Sequence, residues 1–261
     1  MSVGESIFLG ILQGITEFLP VSSSGHLVLF QNILGIKTPE IFFDTMVHFG
    51  TFFAILFFFF QNIKHFLKDL IKEIKGGEGR ENINFFLYLI VGTLPIVILG
   101  ILLQEKIDEI FNSLRIVGFS FLFTSLILFL TYFFQKQKKI VNLNFINSFF
   151  IGLFQAVALF PGVSRSGVTI SAGIFSKIDK EKIFQFSFYL GAIAILGATI
   201  MQIPEIQNLN QNQIIASLIG FLVSLLVGYF ALVLLKRVFI SNKFYLFGFY
   251  TLIAGIICFL L

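Results

Sequence analysis

Charged residues and cysteines are scarce in this sequence. Only 12% of the 261 residues are Asp, Glu, Lys or Arg, whereas 57% are hydrophobic and the mean hydropathy is +0.95. A soluble domain of this length cannot bury so much apolar surface, so the composition indicates an integral membrane protein. The single cysteine, Cys258, excludes an intrachain disulfide and leaves thiol chemistry without support.

The sequence also lacks a long polar segment and a cleavable targeting signal. No stretch is long and polar enough to form a separate soluble domain, so we expect one polytopic membrane domain over residues 1–261. No basic segment and no small-residue cleavage site accompany the first apolar run, and we therefore expect no cleaved signal peptide. The basic residues behind the net charge of +4 lie in short loops, where they would set the orientation of the chain in the membrane. We therefore expect no nucleic-acid partner.

Eight apolar regions can be recognised, and six of them are long enough to cross a bilayer at ~20 residues each. The other two, about 5–34 and 145–175, are interrupted by polar, glycine-containing segments. Each of these two could be one broken span or a re-entrant hairpin. The six predicted spans are about 45–61, 85–104, 115–134, 183–202, 214–235 and 243–261.

The positions of the basic residues favour re-entrant hairpins. Lys and Arg near span ends prefer the cytoplasmic side, and all basic clusters share that side only if region 145–175 enters and leaves by one face. The same logic places 35–44 and 204–213 outside, so that region 5–34 would re-enter from the outer face. The basic clusters are Lys64, Lys68, Lys72, Lys75 and Arg80; Lys136, Lys138 and Lys139; Lys177, Lys180 and Lys182; and Lys236, Arg237 and Lys243.

The two interrupted regions resemble each other. Without gaps, "GILQGITEFLPVSSSG" (10–25) and "GLFQAVALFPGVSRSG" (152–167) are identical at seven of sixteen positions, and "HFGTFFAILF" (48–57) and "YLGAIAILGA" (189–198) follow at nearly the same offset. This similarity predicts pseudo-repeats of about 1–134 and 145–261. Because the hairpins would enter from opposite faces, the repeats would be inverted, with a site at the midplane between broken helices. We therefore expect an all-α integral membrane fold with about six full transmembrane helices and two re-entrant helical hairpins.

Polar side chains in the two breaks form a candidate site. The first break offers Glu17, Ser22, Ser23, Ser24 and His26, and the second offers Ser164, Arg165, Ser166 and Thr169. A guanidinium presents a planar fork of donors that suits phosphate oxygens, hydroxyls and helix N-termini also favour an anion, and a histidine transfers protons near neutral pH. The carboxylate could hold a divalent cation or act as a base. This set favours phosphoryl transfer over acyl transfer.

Structural roles are the alternative interpretation of the same residues. Serine-rich breaks often let membrane helices pack closely, and a lone histidine is more often structural, which is how we interpret His48, although it could face a cavity. Burying the charge of Arg165 or Glu17 costs at least ~2.5–3.5 kcal/mol on insertion scales. That cost favours a functional role for these two residues.

Two segments, "QGITEFLPVSSSGHL" and "FPGVSRSGVTISAG", resemble the signature segments of the undecaprenyl-diphosphate phosphatase family, the bacitracin-resistance type of bacterial envelope enzyme. The resemblance covers essentially the whole chain. It implies an enzyme that removes the terminal phosphate of the C55 polyprenyl diphosphate lipid and so recycles the carrier for cell-wall synthesis. It further implies dependence on Mg²⁺ or Ca²⁺, a multi-pass location in the bacterial plasma membrane and an active site facing the outer leaflet. Small-residue helix faces permit a homodimer without specifying it.

The resemblance also assigns residues to roles. The (Glu/Gln)-x-x-x-Glu element of the family falls on Gln13 and Glu17, and Glu17 is the stronger metal ligand or base because Gln13 replaces a carboxylate that many members carry. In the resulting hypothesis Arg165 and the serines hold the diphosphate, while His26 activates either Ser23 or a water molecule. The predicted diphosphate-binding positions are Ser22, Ser24, Gly25, Ser164, Ser166 and Thr169.

Two other classes of protein were weighed against this one. A polyprenyl-phosphate transporter or flippase would use the same site without cleaving the lipid, because inverted repeats with broken helices are typical of transporters. A membrane acid phosphatase of the vanadium-haloperoxidase-like type shares Ser-Gly-His and Ser-Arg motifs. That type needs a second histidine where this chain has Ala172.

Overall fold

A computed structural model describes residues 1–36, 41–111, 113–135, 140–202 and 210–261. Throughout these ranges the regular structure is helical, and the only β feature is an isolated bridge between Val141 and Ile178. The helices are α1 (Val3–Phe18), α2 (Ser23–Ile33), α3 (Ile41–Phe58), α4 (Phe60–Ile74), α5 (Glu81–Leu103), α6 (Ile107–Phe111), α7 (Leu114–Phe134), α8 (Phe145–Val157), α9 (Arg165–Phe175), α10 (Lys180–Gln202), α11 (Gln211–Ile240) and α12 (Phe247–Leu260).

Four of the helices in the described ranges are long and apolar enough to cross a membrane. They are α5 with the 3₁₀ turn that follows it, α7, α10 and α11; α3 and α4 pass the same test only when taken together, as a pair bent by 72°. The predicted spans 85–104, 115–134, 183–202 and 214–235 lie within these four helices. The C-terminal span, 243–261, is a shorter apolar helix preceded by a 3₁₀ turn. The chain is therefore a multi-pass helical membrane protein.

Helix α4 corrects the sequence analysis. The basic residues were expected to lie in short loops, but the first half of segment 62–84, which carries Lys64, Lys68 and Lys72, continues as a helix after a bend of 72° that follows α3. Its lysines lower the mean hydropathy below that of a span, yet its apolar residues recur at the spacing of an amphipathic helix. The basic cluster 136–139 and most of the predicted outer loop 204–213 lie outside the described residues, as does part of 35–44.

Each interrupted apolar region consists of two helices joined by a short non-helical segment. Helix α1 ends before Leu19, whose extended backbone is the conformation favoured before a proline, here Pro20. Helix α2 begins with Ser22 as its N-cap, and α9 begins with Ser164 as its N-cap, so the serines aligned in the sequence cap corresponding helices. Ser22 adopts φ 67°, a region that few residues other than glycine occupy.

The main core cluster lies directly beside the first break. Helix α11 packs along α1 and α3, α12 packs along α7, and α5 packs along α8. Phe18, the last residue of α1, is fully buried and makes an edge-to-face contact with Phe188 of α10 at 5.8 Å between ring centroids. Because lipid gives helices little hydrophobic reason to associate, such interlocking contacts supply much of the attraction. They also fix the direction of the neighbouring Glu17.

Candidate active site

The two helix breaks touch each other. The backbone N–H of Gly162 donates to the Ser22 hydroxyl at 3.1 Å. A Cβ atom added to Gly25 would lie only 2.6 Å from the Cα atom of Gly162, so only a glycine fits at this contact. The second break is also held by Thr124 of α7, whose hydroxyl lies 3.0 Å from the Gly162 carbonyl oxygen and accepts from the Ser164 N–H at 3.1 Å.

An ion pair joins the breaks at this contact. Glu17, in the last turn of α1, pairs through Oε1 with Nη2 of Arg165, the first residue of α9. The Glu17 side chain is 5% exposed and that of Arg165 is 18% exposed. A second guanidinium nitrogen, Nη1, donates to the carbonyl oxygen of Gly191 in α10 at 2.8 Å. The guanidinium is therefore held between Glu17 of α1 and Gly191 of α10 in a fixed orientation.

The Glu17 carboxylate is surrounded by further polar groups. Its Oε2 atom accepts from the Ser23 hydroxyl at 2.6 Å and from the side-chain amide Nε2 of Gln13 at 2.9 Å. Nε2 of His48 in α3 lies 3.6 Å from the same oxygen. These groups and the guanidinium come from four helices, and together they compensate the buried negative charge of Glu17.

The other predicted hydroxyls lie around this centre in pairs. The Ser22 and Ser24 hydroxyls are 3.3 Å apart, as are those of Ser164 and Ser166. As N-caps, Ser22 and Ser164 accept from the N–H groups of Gly25 and Gly167. These groups stand at the N-termini of α2 and α9, where backbone N–H groups favour an anion.

Thr169 lies one turn further along α9. Its hydroxyl donates to the Arg165 carbonyl oxygen at 2.7 Å and lies 2.6 Å from the Ser187 hydroxyl. It therefore links α9 to α10 behind the guanidinium and has no contact with Glu17.

His26 makes contacts different from those the sequence hypothesis assigned. Its Nδ1 atom lies 2.7 Å from the Ser22 carbonyl oxygen, which can only accept, so Nδ1 carries a proton. In the neutral ring, Nε2 then accepts from the Tyr250 hydroxyl at 2.7 Å, and the two rings are stacked. Both ring nitrogens are engaged, and Ser23 donates to Glu17 rather than to His26.

Sequence analysis missed His48 and Tyr250. His48 was interpreted as structural, but its Nδ1 atom donates to the Asp44 carbonyl oxygen at 2.7 Å, which turns Nε2 towards Glu17. The sequence did contain a signal for His48. The segment that begins at His48 aligns with the segment that contains Gly191, and Gly191 contacts Arg165 in the site. Tyr250 stands in an apolar helix far along the chain, and no local pattern marks it.

Two oxygen atoms of the site could serve a divalent cation. Glu17 supplies a carboxylate, and beside it Gln13 Oε1 is buried without a hydrogen-bond partner. The described ranges contain no group of three or more His, Cys, Asp or Glu residues that could hold a metal by themselves. Mg²⁺ is commonly held by one or two protein oxygens together with waters and substrate phosphates. The residues present therefore fit a cation that binds together with a phosphorylated substrate.

The long apolar helices define this molecule as a polytopic membrane protein, and the carboxylate–guanidinium pair between α1 and α9 gives it a buried polar site. The family model described as "Bacitracin resistance protein BacA" matches residues 6–257 of the chain. The protein belongs to this family.

Several relatives match over nearly their whole length. A protein of Desulforapulum autotrophicum is 38% identical over 98% of this chain and 97% of its own length. A protein of Thermosipho africanus is 38% identical over 97% of this chain and 98% of its own. A protein of Methanobrevibacter smithii is 36% identical over 100% of this chain and 98% of its own. Each of the three is named undecaprenyl-diphosphatase.

Proposed function

We propose that this protein hydrolyses undecaprenyl diphosphate to undecaprenyl phosphate and inorganic phosphate, which recycles the lipid carrier for cell-wall synthesis and gives bacitracin resistance. One observation carries the proposal: Glu17 and Arg165, from the two signature segments, form a buried pair with the Ser23 hydroxyl on the same carboxylate. The family and the names of the relatives supply the substrate. They favour hydrolysis over the alternative of a lipid flippase.

Arg165 and the helix N-termini would hold the diphosphate. A guanidinium has five N–H donors, and Glu17 and Gly191 engage Nη2 and Nη1 without using all of them. The N-termini of α2 and α9 meet beside it, and their hydroxyls (Ser22, Ser24, Ser164 and Ser166) add further donors. This concentration of donors suits a substrate with several anionic oxygens.

The geometry around Ser23 favours Glu17 as its base. If Ser23 Oγ attacks the terminal phosphorus, its proton passes to Glu17 Oε2, 2.6 Å away, and the bond to the bridging oxygen breaks with undecaprenyl phosphate as the leaving group. Water then attacks the phosphoserine, and its oxygen forms the new bond to phosphorus as Ser23 Oγ recovers a proton. In the other route a water takes the place of Ser23 as nucleophile and loses its proton to the same carboxylate. His26 contributes by holding the break through the Ser22 carbonyl oxygen.

A divalent cation, Mg²⁺ or Ca²⁺, would be held by Glu17 and the Gln13 side-chain oxygen. When bound, such an ion neutralises negative charge on the diphosphate. The Gln13 amide would keep its donor on Glu17 and present its free oxygen, which explains how an amide can replace a carboxylate at this position.

The proposal includes the finer membrane arrangement. Breaks at aligned positions, with aligned serine caps, support two re-entrant hairpins (α1–α2 and α8–α9) in inverted repeats of about 1–134 and 145–261, with about six full spans. The protein would lie in the bacterial plasma membrane with its site towards the outer leaflet, and a homodimer remains a prediction from its small-residue faces. Cysteine accessibility on the two sides of sealed vesicles tests the topology.

Phosphate release by the purified protein tests the function. The protein in detergent is given C55 diphosphate with and without EDTA, next to Arg165→Ala and the control Arg115→Ala, which removes an exposed arginine of α7. We expect release from the wild type and the control, and loss of release with EDTA or Arg165→Ala. Binding of the lipid without release of phosphate by folded wild-type protein would support the flippase instead.

A further inference from the structure

Helix α4 has an apolar face that the rest of the protein covers only in part. Leu70 is 8% exposed, and Phe66 packs against Phe85 of α5 and Tyr189 of α10 at 5.5 and 6.4 Å between ring centroids. One side of the same face remains uncovered: Leu67 is 48% and Ile71 52% exposed. Phe60 and Ile74 extend this uncovered side at the two ends of the helix.

Lysines border the uncovered side. Lys64, Lys68 and Lys72 follow one another at intervals of four residues, and Lys75 comes directly after the helix; all four are exposed. At about 100° per residue these lysines form one stripe next to Leu67 and Ile71.

Neither acidic side chain of α4 is paired with a lysine of this stripe. Asp69 falls about 60° beyond Lys72 on the helical wheel, on the side away from the apolar face, and it forms no ion pair with Lys68 or Lys72. Glu73 accepts from the N–H groups of Asn82 and Ile83 at the start of α5. Within the described residues, no ion pair therefore ties a lysine of the stripe to an acidic side chain of α4.

The direction of α4 suits a position in the membrane interface. The helix is bent by 72° from α3, which is close to the right angle between a membrane span and a helix lying on the membrane. Helices with a strong apolar face bordered by lysines lie in this plane, with the apolar side chains in the acyl boundary and the amines among the headgroups. Long lysine side chains reach the headgroups from such a position.

We propose that α4 binds anionic phospholipid headgroups through Lys64, Lys68, Lys72 and Lys75, while Phe60, Leu67, Ile71 and Ile74 enter the outer part of the acyl layer. Charge complementarity supports an anionic lipid as the partner, because clustered lysines on an amphipathic helix attract an anionic lipid surface. This inference is independent of the proposed hydrolase activity, since α4 contributes no residue to the Glu17 cluster.

A fluorophore on α4 can report this binding. Leu67→Cys, labelled with an environment-sensitive dye, is prepared in the full-length chain; the native Cys258 is buried, and mock labelling of the wild type measures its background. The labelled protein in neutral detergent micelles is titrated with phosphatidylglycerol or with phosphatidylcholine. We expect a blue shift that saturates at a lower mole fraction of phosphatidylglycerol and that weakens as added salt screens the charges.

Charge-removal variants separate headgroup binding from general contact with lipid. Each lysine close to an anionic surface contributes roughly fivefold to the affinity for that surface. The three substitutions Lys64→Gln, Lys68→Gln and Lys72→Gln together should therefore weaken the phosphatidylglycerol response at least about tenfold. The control removes three exposed positive charges elsewhere (Lys236→Gln, Arg237→Gln and Lys243→Gln) and should leave the response unchanged.

Several results would overturn the proposal. They are equal responses to the two lipids, an unchanged response in the α4 variant, or an equal loss in the control. A dye spectrum that indicates an aqueous environment with either lipid would also overturn the proposal. It would favour a protein partner for the apolar face of α4.

Discussion

The Ser23 hydroxyl donates a 2.6 Å hydrogen bond to Glu17 Oε2 across the first helix break. This contact joins the start of α2 to the end of α1 and places a nucleophile candidate and a base candidate in direct contact. The same carboxylate pairs with Arg165 from the second break. The Glu17 side chain therefore links the candidate nucleophile, the candidate anion-binding group and both halves of the sequence.

Replacing Ser23 with alanine tests whether it is the nucleophile. We expect Ser23→Ala to lower kcat by about 10³-fold or more, because the attacking oxygen and its hydrogen bond to Glu17 are both lost. Mass spectrometry of acid-quenched wild-type enzyme should then detect phosphate on Ser23. Ser241→Ala, an exposed serine that donates only to a carbonyl oxygen in its own helix, is the control. Substantial turnover in Ser23→Ala, together with no phosphate on Ser23 of the quenched wild type, would assign the attack to water.

The contribution of the Glu17–Arg165 pair to stability should be separable from its contribution to catalysis. Glu17→Gln leaves the guanidinium without its buried partner, which costs about 3–5 kcal/mol of stability, and it removes the base, which lowers kcat by about 10²–10⁴-fold. Adding Arg165→Gln removes the unpaired charge, so we expect the double variant to recover thermal stability in detergent but not turnover.

The outcome is read from melting temperatures and rates measured on the same preparations. Recovery of turnover in the double variant would mean that neither residue takes part in catalysis. A Glu17→Gln variant as stable as the wild type would mean that the pair is worth little to the fold.

The fold was largely predictable from sequence, whereas the contacts within the site were not. Runs of apolar residues predict helices because a bilayer leaves few alternatives for the backbone, and four of the six predicted spans coincide with helices long and apolar enough to cross a membrane. Helix α4 was not predicted because its lysines give it a mean hydropathy too low for a span. Only the spacing of its apolar residues indicates a helix. The internal similarity predicted that Glu17 and Arg165 share a site, but the orientation of His26 depends on Tyr250, more than 200 residues away in the chain.

His48 should act on turnover through Glu17. Its Nε2 atom, 3.6 Å from Oε2, places a polar group beside the carboxylate from a third helix. We expect His48→Gln, which keeps a side-chain N–H group, to retain turnover within about tenfold, whereas His48→Leu should lose about 10²-fold or more in kcat. The comparison is made at saturating substrate, so that a change in KM is recorded separately. Equal activity of the glutamine and leucine variants would show that His48 only fills space.

The contact between Gly25 and Gly162 should be intolerant of a single methyl group. In Gly25→Ala the new Cβ atom would lie 2.6 Å from the Gly162 Cα atom and 2.7 Å from the Phe121 ring, so the two breaks must separate. We expect overpacking to cost about 1–3 kcal/mol of stability and activity to fall because Glu17 and Arg165 move apart. Gly197→Ala is the matched control, since its methyl group would have no neighbour within 4 Å. If melting temperature and turnover were the same in Gly25→Ala as in the control, close contact of the breaks would not be what assembles the site.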